Sequence, residues 1–192
     1  MIDGDTIHVG DTRVRLEGID APETTQTCKR PTGEDWACGH EANRAMRHMA
    51  EGREVVCRNN GLDKYGRTLA TCFVDGLDVS KEMVKRGLAW AFVRYSTIYV
   101  AEEAVARAAK LGIWQGEALP AWDFRARSWA KVEEQAPNGC AIKGNVTANG
   151  HIYHMPWSPW YDKVRIEGHS SKRWFCSEAE AIQAGWRPAY TR

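Results

Sequence analysis

The sequence predicts an α+β chain, mainly β in its first two thirds. It reads as a small, mostly antiparallel barrel or sheet with about three helices, followed by a small C-terminal domain held by a disulfide. Three observations predict this. Short alternating runs are bounded by Gly and Asp turns, amphipathic stretches stop at glycines, and the composition changes after about residue 130.

In chain order, "DGDTIHVGDTRVRLEGI" reads as two short strands about Gly10 and Asp11, with Val14 and Leu16 on one face and Arg13, Arg15 and Glu17 on the other. The opening "IDGDTIHV" reads as a strand already in progress, so the expectation is a trimmed N-terminus, where a secretory signal peptide could have stood. "CGHEANRAMRHMAEG" places Ala42, Ala45, Met46 and Met49 at helical spacing and ends at Gly52. "EVVCR" and "GRTLATCFVDGLDV" give two or three further strands, with Asp75-Gly76 as a hairpin turn. "SKEMVKRG" reads as a helix capped by Ser80 and closed by Gly87, and "VAEEAVARAAKLG" as an amphipathic helix stopped by Gly112. Residues 130–139, including "EEQAPNG", read as a linker between a domain at 1–129 and another at 140–192.

The chain has 192 residues, 43% hydrophobic and 27% charged, with a net charge of +1. These values describe an ordinary globular chain, and any basic footprint for nucleic acid must be local. No apolar run approaches the roughly 18 residues that cross a bilayer. Six cysteines fall as three local couples, Cys28 with Cys38, Cys57 with Cys72 and Cys140 with Cys176. None forms a CxxC, which argues against zinc; buried free thiols remain the alternative to disulfides, and the connectivity stays open. The Cys57 and Cys72 segments read as neighbouring strands that a disulfide can bridge, and three disulfides imply an oxidising compartment, periplasmic or extracellular.

"RLEGIDAPE" concentrates charge where a strand runs out. Pro22 drives Ala21 out of the helical region, so the chain turns and Asp20 and Glu23 project into one concavity. Asp5, in "DGDT", lies on the preceding strand. Such carboxylates repel one another unless a cation joins them, and oxygen ligands from separate strands suit calcium or another hard divalent ion; a solvated turn is the bland alternative.

"DGDT", "RLEGIDAPE", "DKYGRTLA" and "VKRGLAWAF", in this order and spacing, resemble the staphylococcal nuclease (thermonuclease) family from Ile2 to about Trp129, and "YVAEEAVARAAKLGIW" resembles its last helix. The resemblance implies an OB-like five-stranded β-barrel with three helices and calcium-dependent cleavage of DNA and/or RNA. It implies Asp5 and Asp20 as Ca2+ carboxylates, with the Ala21 carbonyl beside them and Asp3 close by. Arg15 and Arg67 are similar to the arginines that grip the scissile phosphate. Glu23 is similar to the acid that positions or deprotonates the attacking water, and Lys64, Tyr65 and Tyr95 to residues that hold the nucleotide. Ala21 stands where the best-known member has a threonine. The Cys28 and Cys38 segment resembles a cysteine-containing bacterial branch, where a bridge would staple the loop beside the site.

The C-terminal segment resembles a sunset-type domain in "IKGN", "IYH" and "WFCSEAEAIQAGWR", and a Cys140 to Cys176 bridge would staple it. Tyr153, Trp157, Trp160, Tyr161 and Trp174, with Lys143, Lys163, Arg165, Lys172 and Arg173, read first as the core of a small domain and alternatively as a platform for single-stranded nucleic acid. His151 and His154 with the two cysteines are a weaker metal alternative. Residues 130–192 hold eight Lys or Arg against six Asp or Glu, a weak basic bias. Two functions follow: a secreted or periplasmic calcium-dependent nuclease, acting as a monomer on DNA and/or RNA, or a non-catalytic binding module on the same fold.

Overall fold

The computed structural model describes residues 3–63, 66–166 and 171–189. They fall into two compact units, the first ending at Ala121 and the second beginning at Trp122.

In the first unit, β1 (Thr6–Val9) and β2 (Thr12–Leu16) form the hairpin expected around Gly10, with Thr6 opposite Arg15 and Ile7 opposite Val14. After β3 (Ile19–Asp20) come a small ribbon of β4 (Cys28–Lys29) with β5 (Asp35–Trp36), then α1 (Cys38–Ala50). Helix α1 buries Ala42, Met46 and Ala50, the apolar stripe that its spacing requires. Strands β6 (Val55–Leu62) and β7 (Thr68–Val74) pair antiparallel, and β8 (Leu77–Asp78) turns back on β7 through Asp75 and Gly76. Both turn residues have positive φ, 50° and 78°, as a two-residue hairpin loop demands. Helix α2 (Val79–Lys85), β9 (Trp90–Ala91) and α3 (Val100–Ala108) complete the unit, so its α-helices before residue 121 are the three expected.

The five-stranded sheet runs β1-β2-β7-β6 with β8 also on β7, and β9 pairs with β3. Pairing is antiparallel except for β2 with β7, where Val14 faces Thr68 and Arg15 faces Leu69. Among the described residues the sheet does not close into the expected barrel. Strand β1 has only four residues, and a groove lined by Ile7, Val9, Ala50 and Val55 separates it from the start of β6. Val14, Leu16, Ala70, Cys72 and Val74 point to one side of the sheet and meet Met46, Met83 and Val84 in the core. Disulfides join Cys57 to Cys72, directly opposite in the β6-β7 ladder, and Cys28 to Cys38.

The cap of α2 differs from expectation. Asp78, one residue before the helix, accepts from the Lys81 backbone N–H at 3.1 Å and from the Tyr99 hydroxyl at 2.9 Å, whereas Ser80 lies inside the helix and is fully buried. The helix starts two positions earlier than expected, so a carboxylate caps its first turn in place of the serine.

The second unit contains α4 (Ala121–Glu133), β10 (Ile142–Thr147), β11 (Gly150–His154), β12 (Lys172–Phe175), α5 (Glu178–Gln183) and β13 (Arg187–Pro188). Helix α4 occupies the first part of the segment expected to be a linker. The sheet order is β12-β10-β11-β13. One face packs Ile142, Tyr153 and Phe175 against Ala181, Trp129 and Trp186. Cys140 and Cys176 are joined just beyond the Ile142 and Phe175 pair.

Candidate active site

The hairpin of β1 and β2 sets the site. The Leu16 N–H donates to the Asp5 carbonyl at 2.8 Å, extending the ladder one step beyond Thr6 and bringing Asp5 beside Arg15. Arg15 Nη1 lies 2.8 Å from Asp5 Oδ2, and Nη2 lies 3.2 Å from Asp20 Oδ1. Gly18, with φ 76°, turns the chain into β3, which delivers Asp20 beneath the guanidinium with no solvent exposure. The Ala21 N–H donates to Asp5 Oδ2 at 2.9 Å, tying the strand end to the hairpin.

Asp3 joins this group by accepting from the Asp5 N–H at 3.1 Å. Burial, then the charges of Asp5 and Glu23, push the Asp3 carboxyl well above the ordinary aspartate range, with Arg15 opposing them. Among the described residues no three His, Cys, Asp or Glu side chains form a ready metal cage. The donors present are nevertheless hard oxygens, the carboxylates of Asp5, just before β1, and of Asp20, on β3, with Asp3 beside them. That chemistry fits a hard divalent cation rather than a thiophilic one.

Glu23 follows Pro22 on a partly exposed stretch. Its backbone is fixed closely: its N–H donates to Gln26 Oε1 at 3.2 Å, its carbonyl accepts from the Gln26 N–H at 2.7 Å, and a Cβ on Gly39 would stand 1.7 Å from that carbonyl oxygen. Only glycine lets the first turn of α1 approach so closely.

Arg67 stands just before β7, two positions from Leu69, the partner of Arg15 across the β2-β7 ladder. Asp63 holds it twice, Oδ1 accepting from the Arg67 N–H at 2.9 Å and Oδ2 from Nε at 2.5 Å. Lys64 and Tyr65, expected to bind substrate, lie outside the described residues. Tyr95 is two-thirds exposed on the loop after β9, its ring 5.0 Å from that of Phe92. That loop is anchored near the site because β9 pairs with β3 and the Phe92 N–H donates to the Gly18 carbonyl at 2.8 Å. The structure thus gathers Asp5, Arg15, Asp20 and Ala21 through direct contacts and places Asp3 beside them. Asp63 and Gln26 were not singled out by the sequence. The "DxxxR" spacing in "DKYGR" is the one signal for Asp63, and nothing local distinguishes Gln26.

In the second unit, Tyr153 and Tyr161 are buried while Trp157, Trp160 and Trp174 are half-buried, as a small core requires. Cys140 and Cys176 are consumed by their disulfide, which removes both thiolates from the histidine-cysteine metal alternative. Lys143 Nζ donates to the Tyr161 carbonyl at 3.2 Å and lies 4.2 Å from the centroid of its ring, and burial lowers its pKa. His154, opposite Lys143 in the sheet, is pushed down to about 4, chiefly by burial and then by the Lys143 charge.

Comparison with known proteins places these features. The family model described as "Staphylococcal nuclease homologue" matches residues 13–116, and one described as "ArfC" matches residues 122–188, the second unit. Over 123 residues the chain is 36% identical to "Succinoglycan biosynthesis protein ExoI" of Rhizobium meliloti (strain 1021), covering 61% of this chain and 63% of that protein, less than two thirds of its length. It is 33% identical over 135 residues to an "Uncharacterized endonuclease" of Escherichia coli O157:H7, covering 66% of this chain and 82% of that one. It is 29% identical over 116 residues to "Probable staphylococcal-like nuclease CAN1" of Oryza sativa subsp. japonica, covering 59% of this chain and 32% of the rice protein.

Proposed function

We propose that this chain, which belongs to the staphylococcal nuclease family, is a calcium-dependent endonuclease that hydrolyses phosphodiester bonds of DNA and/or RNA with low sequence specificity and leaves 3′-phosphate ends. The observation that carries the reading is the clasp of Arg15 between the Asp5 and Asp20 carboxylates.

The Asp5 and Asp20 carboxylates with the Ala21 carbonyl would hold the calcium ion, which supplies Lewis acidity and a charged template when bound. The planar forks of Arg15 and Arg67 match pairs of phosphate oxygens and offset the charge that grows on them during displacement, a task that a lysine ammonium performs less specifically. Asp63 holds Arg67 through its backbone N–H and Nε, which fixes the position of the guanidinium. Glu23 orients the attacking water and takes its proton on a carboxylate oxygen, and its fixed backbone keeps that oxygen in place. Lys64, Tyr65 and Tyr95 would steady the neighbouring nucleotide. Specificity is low because phosphates, not base edges, are addressed.

Three disulfides favour an oxidising compartment, periplasmic or extracellular. Among the described residues no helix is long and apolar enough to cross a membrane. The test is incubation of the oxidised chain with single-stranded DNA and with RNA, in calcium or in a chelator, beside an Asp20→Ala control. Calcium-dependent degradation abolished by the substitution is expected. No cleavage by a folded protein would overturn the reading in favour of a non-catalytic binding module.

A further inference from the structure

We propose that Gln26 is a positioning residue that holds Glu23 in its working geometry, an inference that rests on the nuclease reading above. Gln26 is 1% exposed, and a buried carboxamide is costly unless both of its polar groups find partners. Both ends of this one are engaged: Oε1 accepts from the Glu23 N–H at 3.2 Å, and Nε2 donates to the Leu119 carbonyl at 2.5 Å. The Gln26 backbone N–H also donates to the Glu23 carbonyl at 2.7 Å, and the Gln26 carbonyl accepts from the Gly39 N–H at 3.1 Å. One residue therefore grips both polar groups of the Glu23 backbone and links them to two other segments, the start of α1 and the stretch at 116–119.

The surroundings make this linkage stiff. Gly39 presses directly on the Glu23 carbonyl, the Cys28 to Cys38 disulfide ties the following segment to α1, and the Lys29 N–H donates to the Glu117 carbonyl at 2.7 Å. A leucine could fill the volume of Gln26, and a glutamate could accept from Glu23. Of these, only the carboxamide accepts toward the Glu23 N–H and donates toward the Leu119 carbonyl at the same time, unless the glutamate is protonated. Supporting hydrogen bonds of this kind keep a reacting group within the fraction of an ångström that proton transfer requires.

The test is steady-state cleavage of single-stranded DNA in calcium by the full oxidised chain, comparing Gln26→Glu and Gln26→Leu with the parent and in a Glu23→Gln background. Thermal melting confirms that each variant is folded, and the near-isosteric Gln26→Glu serves if the leucine variant does not fold. A displacement near 1 Å is worth about 10²-fold in rate, so kcat should fall roughly tenfold to a hundredfold with KM little changed. In the Glu23→Gln background the same substitutions should cost almost nothing, because the group being positioned is already disabled. Gln26→Glu should also regain activity relative to the parent as pH falls, since protonation restores a donor toward Leu119. Equal losses in both backgrounds, or a rise in KM with kcat unchanged, would overturn the role of Gln26 while leaving the nuclease intact. A parent chain without calcium-dependent cleavage would overturn both.

Discussion

Arg15 and Asp20 form an ion pair at 3.2 Å in which the carboxylate has no solvent exposure and the guanidinium only 12%. The arginine that would grip the phosphate is thus held by an acid that would hold the metal, and Asp20→Asn loosens both at once. Calcium-stimulated cleavage by that variant is expected to fall by about 10² to 10³-fold, the loss that follows removal of one stabiliser of a developing oxyanion, here indirectly through the arginine and the metal that Asp20 would hold. Isothermal titration of calcium should show weakened binding in parallel. Unchanged calcium affinity would remove Asp20 from the metal set.

Glu23→Gln keeps the size of the side chain and removes the base. A loss of about 10² to 10⁴-fold in kcat is expected with the melting temperature preserved. Turnover near that of the parent would take Glu23 out of the mechanism.

Gly39→Ala tests the close approach behind Glu23. Its methyl would stand 1.7 Å from the Glu23 carbonyl oxygen, so either α1 or the Glu23 segment must move. Overpacking costs about 1 to 3 kcal/mol, and the upper end is expected because backbone is the obstacle. Chemical denaturation measures the cost, and a drop in cleavage rate larger than any change in KM should accompany it.

Replacing both Cys140 and Cys176 by serine opens a loop of 36 residues. Loop-entropy reasoning sets the loss at about 4 kcal/mol. Calorimetry should show the transition of residues 122–190 shifting down while cleavage by the folded first unit persists.

His154 supplies a pH dependence to the second unit. Its folded pKa of about 4 lies below its ordinary 6.5, so folding favours the neutral ring. This contribution is fully present above pH 6.5 and is lost as pH falls through the window down to about 4. The melting temperature of this unit should drop across that window, and His154→Phe should flatten the drop. An equal slope in the variant would assign the acid sensitivity to other groups.

Local features were the legible ones. Gly10 and Asp11, Asp75 and Gly76, and the Ala42 and Met46 stripe each announce their element within a few residues, and the three cysteine couples are the disulfides observed. Motif order singled out Asp5, Asp20 and Arg15, and the structure brings them into contact through strand pairing only a few residues away. The features that stayed hidden are non-local or competitive. Asp78 and Ser80 are both good cap residues, and which one starts the helix depends on contacts such as the Tyr99 hydroxyl on Asp78, which no propensity records. Gln26 becomes meaningful only when residue 119 returns to it, 93 positions later in the chain. The barrel expected from resemblance is an open sheet among the described strands because closure depends on what lies beside a four-residue β1.

The Cys28 to Cys38 bridge closes a short loop in which the side chains of Lys29 and Arg30 are exposed. Trypsin acting between these two residues would nick the chain without dividing it. The cut product would migrate as a single species on a non-reducing gel and separate into two fragments only after a thiol is added. A fragment pattern that needed no reductant would mean that this bridge had not formed in the sample.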